Sequence, residues 1–442
     1  MTIANPLSQA ITQERVFSIQ GGVPLRGTVR IGGAKNAALP ILAATLLTSE
    51  TMVLTNMPQL ADIYTMVDIL RSLGADVEWD QAAHKVTVRA ETVKTTAVPP
   101  ELVNKMRASF LVAGPLLARF GSVDATTPGG CQLGARPVDV DVRGFRRMGA
   151  DVQFNDQTVS AEATQLRGAR IFMDYPSHTG TENLLMAAVL AEGKTSIVNA
   201  SCEPEIVALG TMLVRMGARI SGLGSPMIVV EGVDRLHGVS EAILPDRLEA
   251  GTYAIGAVIS GGEVEIENIR AFDMLPLTSK LQDAGADIWV DDDRMLTRPG
   301  SSLQAVEVQT LPFPGFPTDL QAAFAVLMTQ AQGRSKLHER IFEDRLRYTD
   351  ELVKMGANIQ VECFGDRYGQ KAEFQGPTPL HGTDVRALDI RAGAGMVLAG
   401  LIADGTTTIH DVRHLDRGYD GLVEKLRSLG ANIEERFVPI SG

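Results

Sequence analysis

The sequence predicts an α/β protein of two similar domains, an inside-out α/β barrel built from six repeats of about 70 residues, with sheets outside and apolar helices inside. Three observations lead there: one helix-ending motif occurs six times, the helices between copies are apolar on most faces, and the strands alternate. The six segments are ILRSLGADVEW from Ile69, GFRRMGADVQF from Gly144, MLVRMGARISG from Met212, KLQDAGADIWV from Lys280, ELVKMGANIQV from Glu351 and EKLRSLGANIEE from Glu424. Their shared glycines fall at 74, 149, 217, 285, 356 and 430, between 68 and 75 residues apart. A glycine just past a helix supplies the left-handed backbone that a C-cap wants, and the alternating residues after it read as a half-buried strand.

A second element precedes these copies. Glu192–Glu205 (EGKTSIVNASCEPE), Gly261–Asp273 (GGEVEIENIRAFD) and Asp404–Gly418 (DGTTTIHDVRHLDRG) each read as a glycine turn and an alternating strand after a small-residue helix. One repeat is therefore helix–strand–helix–strand plus a further strand. Chance recurrence of α/β punctuation would explain one or two copies, but not six at near-even spacing. Helices such as AAFAVLMTQA and AGMVLAGLIA are apolar all round and belong inside. Strands such as EVEIEN and ADVEWD alternate and suit sheets with one wet face. Grouped three plus three, the copies imply two similar domains; residues 1–34 with 245–442 are assigned to one discontinuous domain and 35–244 to the other.

The chain of 442 residues has room for two or three domains. With 45% hydrophobic and 21% charged residues it has the balance of a soluble globular protein rather than a disordered one. The net charge of −12 disfavours a nucleic-acid partner, which would call for a basic face, but allows a local basic pocket for a small anion. Cys131, Cys202 and Cys363 are odd in number and far apart, so neither a disulfide framework nor a CxxC metal site is expected, in keeping with a reducing compartment. The opening MTIANPLSQAITQER does not read as a secretory signal, and the longest apolar stretch, Ala37–Leu47, is too short to span a bilayer. A cytoplasmic protein without membrane insertion is expected. The oligomeric state is left open.

Candidate chemistry is concentrated in a few segments. In IGGAKNAALPILAATLL, Gly32-Gly33 makes a flexible turn and Lys35-Asn36 opens an apolar helix. Glycines let backbone approach an anion, a helix start attracts negative charge, and Lys35 would add a point charge, although a solvated lysine at a helix start is an equal reading. In TTPGGCQLGARPVD, Cys131 sits on a loop rather than in an apolar run, and Arg136 would lower its thiol pKa. Such a cysteine suits covalent or proton-transfer work, although many loop cysteines are incidental. Cys202 and Cys363 are assigned to packing. Asp319, after two prolines, stands at a helix start, where an N-cap is the bland reading. Arg391 and Arg417 each stand just before an apolar helix, against the dipole, a placement that makes sense with an anion between guanidinium and helix end. Arg345 is similar or else an ordinary surface residue, and Arg107, inside an apolar helix, needs a partner or a cleft. The seven histidines are scattered, so no metal is expected, and GxxxxGK[ST], GxGxxG and GxSxG are absent, so no cofactor is expected.

Taken together, GGAKNAALP, PGGCQLGARPVD, PDRLEAGTY, FPTDLQA, IFEDR and HLDRGYDGLVEKLRSLGA resemble the enolpyruvyl transferases, and among them the UDP-N-acetylglucosamine 1-carboxyvinyltransferases. The resemblance runs from about Phe17 to Glu435, and the cysteine loop is its most specific part. It implies two domains of three repeats each. It also implies transfer of the enolpyruvyl group of phosphoenolpyruvate to the 3′-hydroxyl of UDP-N-acetylglucosamine, by addition and elimination through a tetrahedral intermediate. Phosphate is released, as the first committed step of peptidoglycan synthesis. Lys35, Arg136 and Arg417 would hold the phosphoenolpyruvate phosphate and carboxylate, assisted by Arg391 and with Asn36 beside them. Cys131 would be general acid at the methylene carbon or help product release, and Asp319 would take the sugar hydroxyl proton. Asn36, Arg107, Arg136, Pro137, Val138, Asp139, Val140, Ser177, Asp319 and Ile341 would contact the UDP-sugar, and the cysteine loop would close as a lid with the two domains closing on ligand.

The chain departs from the family at three places. His178 and Thr179 stand where a small apolar pair is usual, Asp141 where histidine is common, and Leu388 where threonine is common before Asp389. These departures touch substrate detail and leave Lys35, Cys131, Asp319, Arg391 and Arg417 intact. Two other readings compete. One is a 5-enolpyruvylshikimate-3-phosphate synthase-like transferase, whose family lacks the cysteine loop. The other is a non-catalytic UDP-sugar-binding paralogue.

Overall fold

The computed structural model describes residues 13–127, 138–155, 157–363 and 370–439. The chain divides into two compact units. One comprises Ile31–Arg247 with Leu311–Phe316, and the other comprises the N-terminal residues to Arg30, Leu248–Thr310 and Pro317 onward.

Each unit holds three repeats of the same order. In the first repeat of the Ile31–Arg247 unit, the helix Lys35–Ala44 leads to the strand Thr51–Thr55, the helix Ala61–Leu73, and the hairpin of Asp76–Asp80 and Lys85–Arg89. The hairpin pairs so that Lys85–Arg89 lies between Thr51–Thr55 and Asp76–Asp80, and Ser240–Ala242 completes the sheet in parallel with Thr51–Thr55. The same order recurs in the other sheets. In the one assigned only three strands, Ser122–Thr126, Thr158–Glu162 and Asp151–Phe154, an isolated parallel bridge from Ala97 to Asp124 stands at the open edge.

The six repeated glycines end their helices as the sequence predicts. Gly74, Gly149, Gly217, Gly285, Gly356 and Gly430 all have φ between +89° and +109°, a conformation in which a Cβ is strained. The alternation of the strands is also observed. In Glu263–Glu267, Val264 and Ile266 are buried while Glu263 faces water. Conversely, every residue from Gln321 to Thr329 in the helix Gln321–Gln330 is buried, as is every residue from Arg391 to Leu401 in the helix Ile390–Ile402, and these two helices pack together. Wet-faced sheets thus enclose helices that are apolar on all sides.

The N-terminal strands belong to the other unit. Gln13–Gln20 inserts antiparallel between Thr406–His410 and Asn432–Pro439, and Arg26–Arg30 runs parallel to Glu263–Glu267. The chain then enters the Ile31–Arg247 unit beside the segment by which it leaves. There Ala34 N–H donates to Leu244 O (2.7 Å), Asp246 N–H to Gly32 O (3.0 Å), and Gly33 bridges Pro245.

Candidate active site

Lys35, Asn36, Arg107, Val138, Asp139, Val140 and Ser177 fall in the Ile31–Arg247 unit, and Asp319, Ile341, Arg345, Arg391 and Arg417 in the other. Cys131, Arg136 and Pro137 lie outside the described residues.

Lys35 is the first residue of its helix and is buried to 9% exposure, with Nζ 3.4 Å from Asp62 Oδ2 on the helix Ala61–Leu73. A buried ammonium at a helix start opposes the dipole, and Asp62 supplies the compensating charge. Asn36 beside it is half-buried. The solvated-lysine reading is therefore excluded. Gly33 serves the chain itself rather than an anion, because a Cβ there would lie 1.9 Å from Asn56 O.

Arg107 does not lie within a helix. It opens a separate 3-10 segment, Arg107–Val112, ahead of the helix Ala113–Phe120, since Met106 before it is extended. Val138 caps the helix Asp139–Arg147, in which Asp139 pairs with Arg143 (3.2 Å). Val140 and Ser177 are brought together: a Cβ on Gly180 would lie 2.8 Å from Val140 Cγ1 and 3.0 Å from Ser177 Oγ. Ser177 caps the helix His178–Ala188, its Oγ accepting from Gly180 N–H at 3.1 Å.

Two of the departures in this unit are ionisable groups, Asp141 buried and His178 half-buried. His178 Nε2 lies 3.0 Å from Glu182 Oε1. Burial works against the charged ring but is outweighed by Glu182, Glu203 and Glu205, and its pKa is pushed up to about 10. Glu205 is paired in turn with Arg247 (2.9 Å). Asp141 accepts from Asn183 Nδ2 (2.9 Å), and Asn183 also bonds Phe110 O and Gly114 N–H. Burial raises Asp141 to about 7, against the lowering pull of Asn183 and Arg107.

In the other unit, Asp319 is the centre of an ion cluster. Its Oδ1 lies 3.1 Å from Arg345 Nη2 and its Oδ2 3.2 Å from Arg391 Nε. The two guanidinium groups are 4% and 5% exposed against 27% for the carboxylate, so Asp319 is the accessible member. The N-cap reading fails. Asp319 sits in the 3-10 turn Thr318–Leu320, Leu320 occupies the cap of the next helix, and the carboxylate turns to the arginines instead. Arg345 is correspondingly buried rather than a surface residue. The Arg345 guanidinium is raised despite burial, by Asp389, Asp319 and Glu339.

Arg391 lies one residue inside its helix rather than just before it, as the second residue, and Asp389 caps that helix with bonds to Arg391 N–H (2.7 Å) and Ala392 N–H (2.9 Å). The carboxylate beneath it offsets the unfavourable guanidinium–dipole placement. Arg417 differs. It ends the 3-10 helix Val412–Arg417, where the end dipole favours a cation, and the helix after it starts only at Leu422. Ile341 is half-buried, and its N–H donates to Glu339 Oε1 at 2.6 Å.

Sequence reasoning missed Asp62 and Glu339. A signal for Glu339 existed: in the alternating strand Gly333–Glu339 it shares the buried face with Ser335 and Leu337.

A family model described as EPSP synthase (3-phosphoshikimate 1-carboxyvinyltransferase) matches residues 19–426. UDP-N-acetylglucosamine 1-carboxyvinyltransferase 2 of Carboxydothermus hydrogenoformans is 47% identical over 420 residues, 95% of this chain and 98% of that protein. UDP-N-acetylglucosamine 1-carboxyvinyltransferase of Sorangium cellulosum is 48% identical over 416 residues, 94% of this chain and 97% of that one. Among solved structures, the enolpyruvyl transferase NikO from Streptomyces tendae superposes with a TM-score of 0.86 at 27% identity, covering 97% of this chain and 100% of its own. EPSP synthase from Acinetobacter baumannii, at a TM-score of 0.74 and 21% identity over 96% of this chain and 100% of its own, shares the fold.

Proposed function

The chain belongs to the enolpyruvyl (carboxyvinyl) transferase family, and we propose that it transfers the enolpyruvyl group of phosphoenolpyruvate to the 3′-hydroxyl of UDP-N-acetylglucosamine. The observation that carries this reading is the near-full-length identity to proteins of that name, well above the likeness to EPSP synthase. The chemistry requires a base for the hydroxyl, an acid at the methylene carbon and cations for a phosphate and a carboxylate. Asp319, the half-buried and most accessible member of an arginine cluster, is the base. Asp319 takes the proton of the sugar 3′-hydroxyl as that oxygen bonds C2 of phosphoenolpyruvate, and Cys131 delivers a proton to C3. Loss of that C3 proton then expels phosphate and restores the double bond.

Lys35, Arg136, Arg391 and Arg417, with Asn36, hold phosphoenolpyruvate, and Cys131 is also a site for a covalent phosphoenolpyruvate (pyruvate) adduct. Asn36, Arg107, Arg136, Pro137, Val138, Asp139, Val140, Ser177, Asp319 and Ile341 contact the nucleotide sugar. The same reading assigns these groups to two domains, 1–34 with 245–442 and 35–244. It places the protein in the cytoplasm, in peptidoglycan synthesis and thus in cell-wall biogenesis, cell shape, the cell cycle and cell division.

The test is release of inorganic phosphate from phosphoenolpyruvate in the presence of either acceptor. Release with UDP-N-acetylglucosamine and none with shikimate 3-phosphate is expected. The reverse pattern selects the synthase-like alternative, and binding of the UDP-sugar without release selects a non-catalytic paralogue.

A further inference from the structure

We propose that Glu339 is a positioning residue for this reaction, a buried carboxylate that orients the turn carrying Asp319 with one oxygen and the segment carrying Ile341 with the other. The inference rests on the roles assigned above to Asp319 and Ile341. Glu339 is fully buried at the end of the strand Gly333–Glu339. Its Oε2 accepts from Thr318 Oγ1 (2.8 Å) and Gln321 Nε2 (2.7 Å), the residues that flank the Asp319–Leu320 pair. Its Oε1 accepts from the N–H groups of Ile341 (2.6 Å) and Phe342 (3.0 Å). Gln321 is fixed on its other side, since its Oε1 accepts from the buried Tyr348 hydroxyl at 2.5 Å.

A buried carboxylate is tolerated when its lone pairs are filled and a cation is near. Both conditions hold, with four donors and the field of the Arg345 guanidinium. A purely structural anchor would need neither this placement nor this division of labour. Both oxygens reach segments that bear proposed site residues, Asp319 on one side and Ile341 on the other. The turn under Asp319 is short and irregular, so its orientation depends on the groups that hold Thr318 and Gln321.

The amide of Glu339→Gln keeps one accepting oxygen. Two backbone N–H groups demand that oxygen, so its NH2 turns to the Thr318 and Gln321 side, where the Thr318 hydroxyl can rotate to accept but the Gln321 NH2 meets it donor to donor. This variant should therefore loosen the Asp319 turn selectively. Expected in the phosphate-release assay is a fall in kcat on the order of 10- to 100-fold, with KM for UDP-N-acetylglucosamine changed less than about threefold. Thr318→Val, which removes one donor, should lower kcat about severalfold in the same pattern, and Thr318→Ser, which keeps the hydroxyl, should restore it.

A Glu339→Gln kcat within about twofold of the wild type would overturn the proposal, as would a loss expressed in KM alone. Where Glu339→Gln does not fold, the Thr318 pair decides: equal kcat for Thr318→Val and Thr318→Ser overturns it. Absence of turnover in the wild type itself would instead sink the assigned reaction, and this inference with it.

Discussion

Asp141 stands in the first turn of the helix Asp139–Arg147 with its carboxyl buried and one side-chain partner, Asn183. Burial raises it from an ordinary 3.8 to about 7, so between those values the folded chain holds a proton that the unfolded chain has lost. Its contribution to stability is therefore complete below the unfolded value and disappears as pH rises through about 7. The full swing corresponds to about 4 kcal/mol. Asp141→Asn cannot ionise, and its amide oxygen can still accept from Asn183. The variant should gain stability relative to the wild type as pH goes from 5 to 8, by about 3 kcal/mol of that swing, read from urea midpoints. An offset that does not change with pH would contradict the burial account. The residue scale was only partly legible in the sequence. That Lys35 and Arg391 stand at helix starts follows from local pattern. That Arg345 is buried does not, because its partner Asp319 is 26 residues away, and Arg391 is 72 residues from the same carboxylate.

At the scale of elements, the repeat is a local matter, and its glycines do different work from those inside helices. Gly149 has φ +91° and no atom within 4 Å of a Cβ placed there, so Gly149→Ala meets backbone strain alone, about 1 kcal/mol. Gly144 lies within the helix Asp139–Arg147, and a Cβ there would sit 2.1 Å from Leu184 Cδ2 on the helix His178–Ala188. Gly144→Ala must push that neighbour aside and should cost about 1–3 kcal/mol, offset in small part by helix propensity. Equilibrium denaturation of the two variants measures the difference, and the Gly144 variant should be the less stable. The misplacements of Arg107 and Arg417 belong to this scale too. Apolar pattern marked the helices on either side, but short 3-10 segments carry no period long enough to read.

For the molecule as a whole, the chain's first described strand completes a sheet whose other strands come from its end. Gln13–Gln20 lies between Thr406–His410 and Asn432–Pro439, with Val16, Phe17 and Ile19 buried to 2% exposure or less. Burying three such side chains contributes about 5–8 kcal/mol, comparable to the whole stability of a typical domain. Deleting residues 13–20 should therefore unfold the unit that contains Asp319. The loss should appear as a missing transition in thermal melts and as rapid proteolysis between residues 317 and 439. Survival of that transition would mean that the sheet closes without the strand.

Six glycine C-caps, alternating strands and all-round apolar helices were readable along the chain because each depends on neighbours within one or two turns. The sequence motifs also placed the chain among the enolpyruvyl transferases, since they carry residue types at set spacings. Which charges meet was decided by tertiary structure. Asp319 pairs with Arg345 of its own repeat and Arg391 of the next, Lys35 with Asp62 on the next helix, and Glu339 with both sides of the Asp319 turn. Such contacts depend on how elements of one repeat fold against each other and, for Arg391, on how neighbouring repeats pack, and burial by distant segments leaves no periodic trace at the residue it buries.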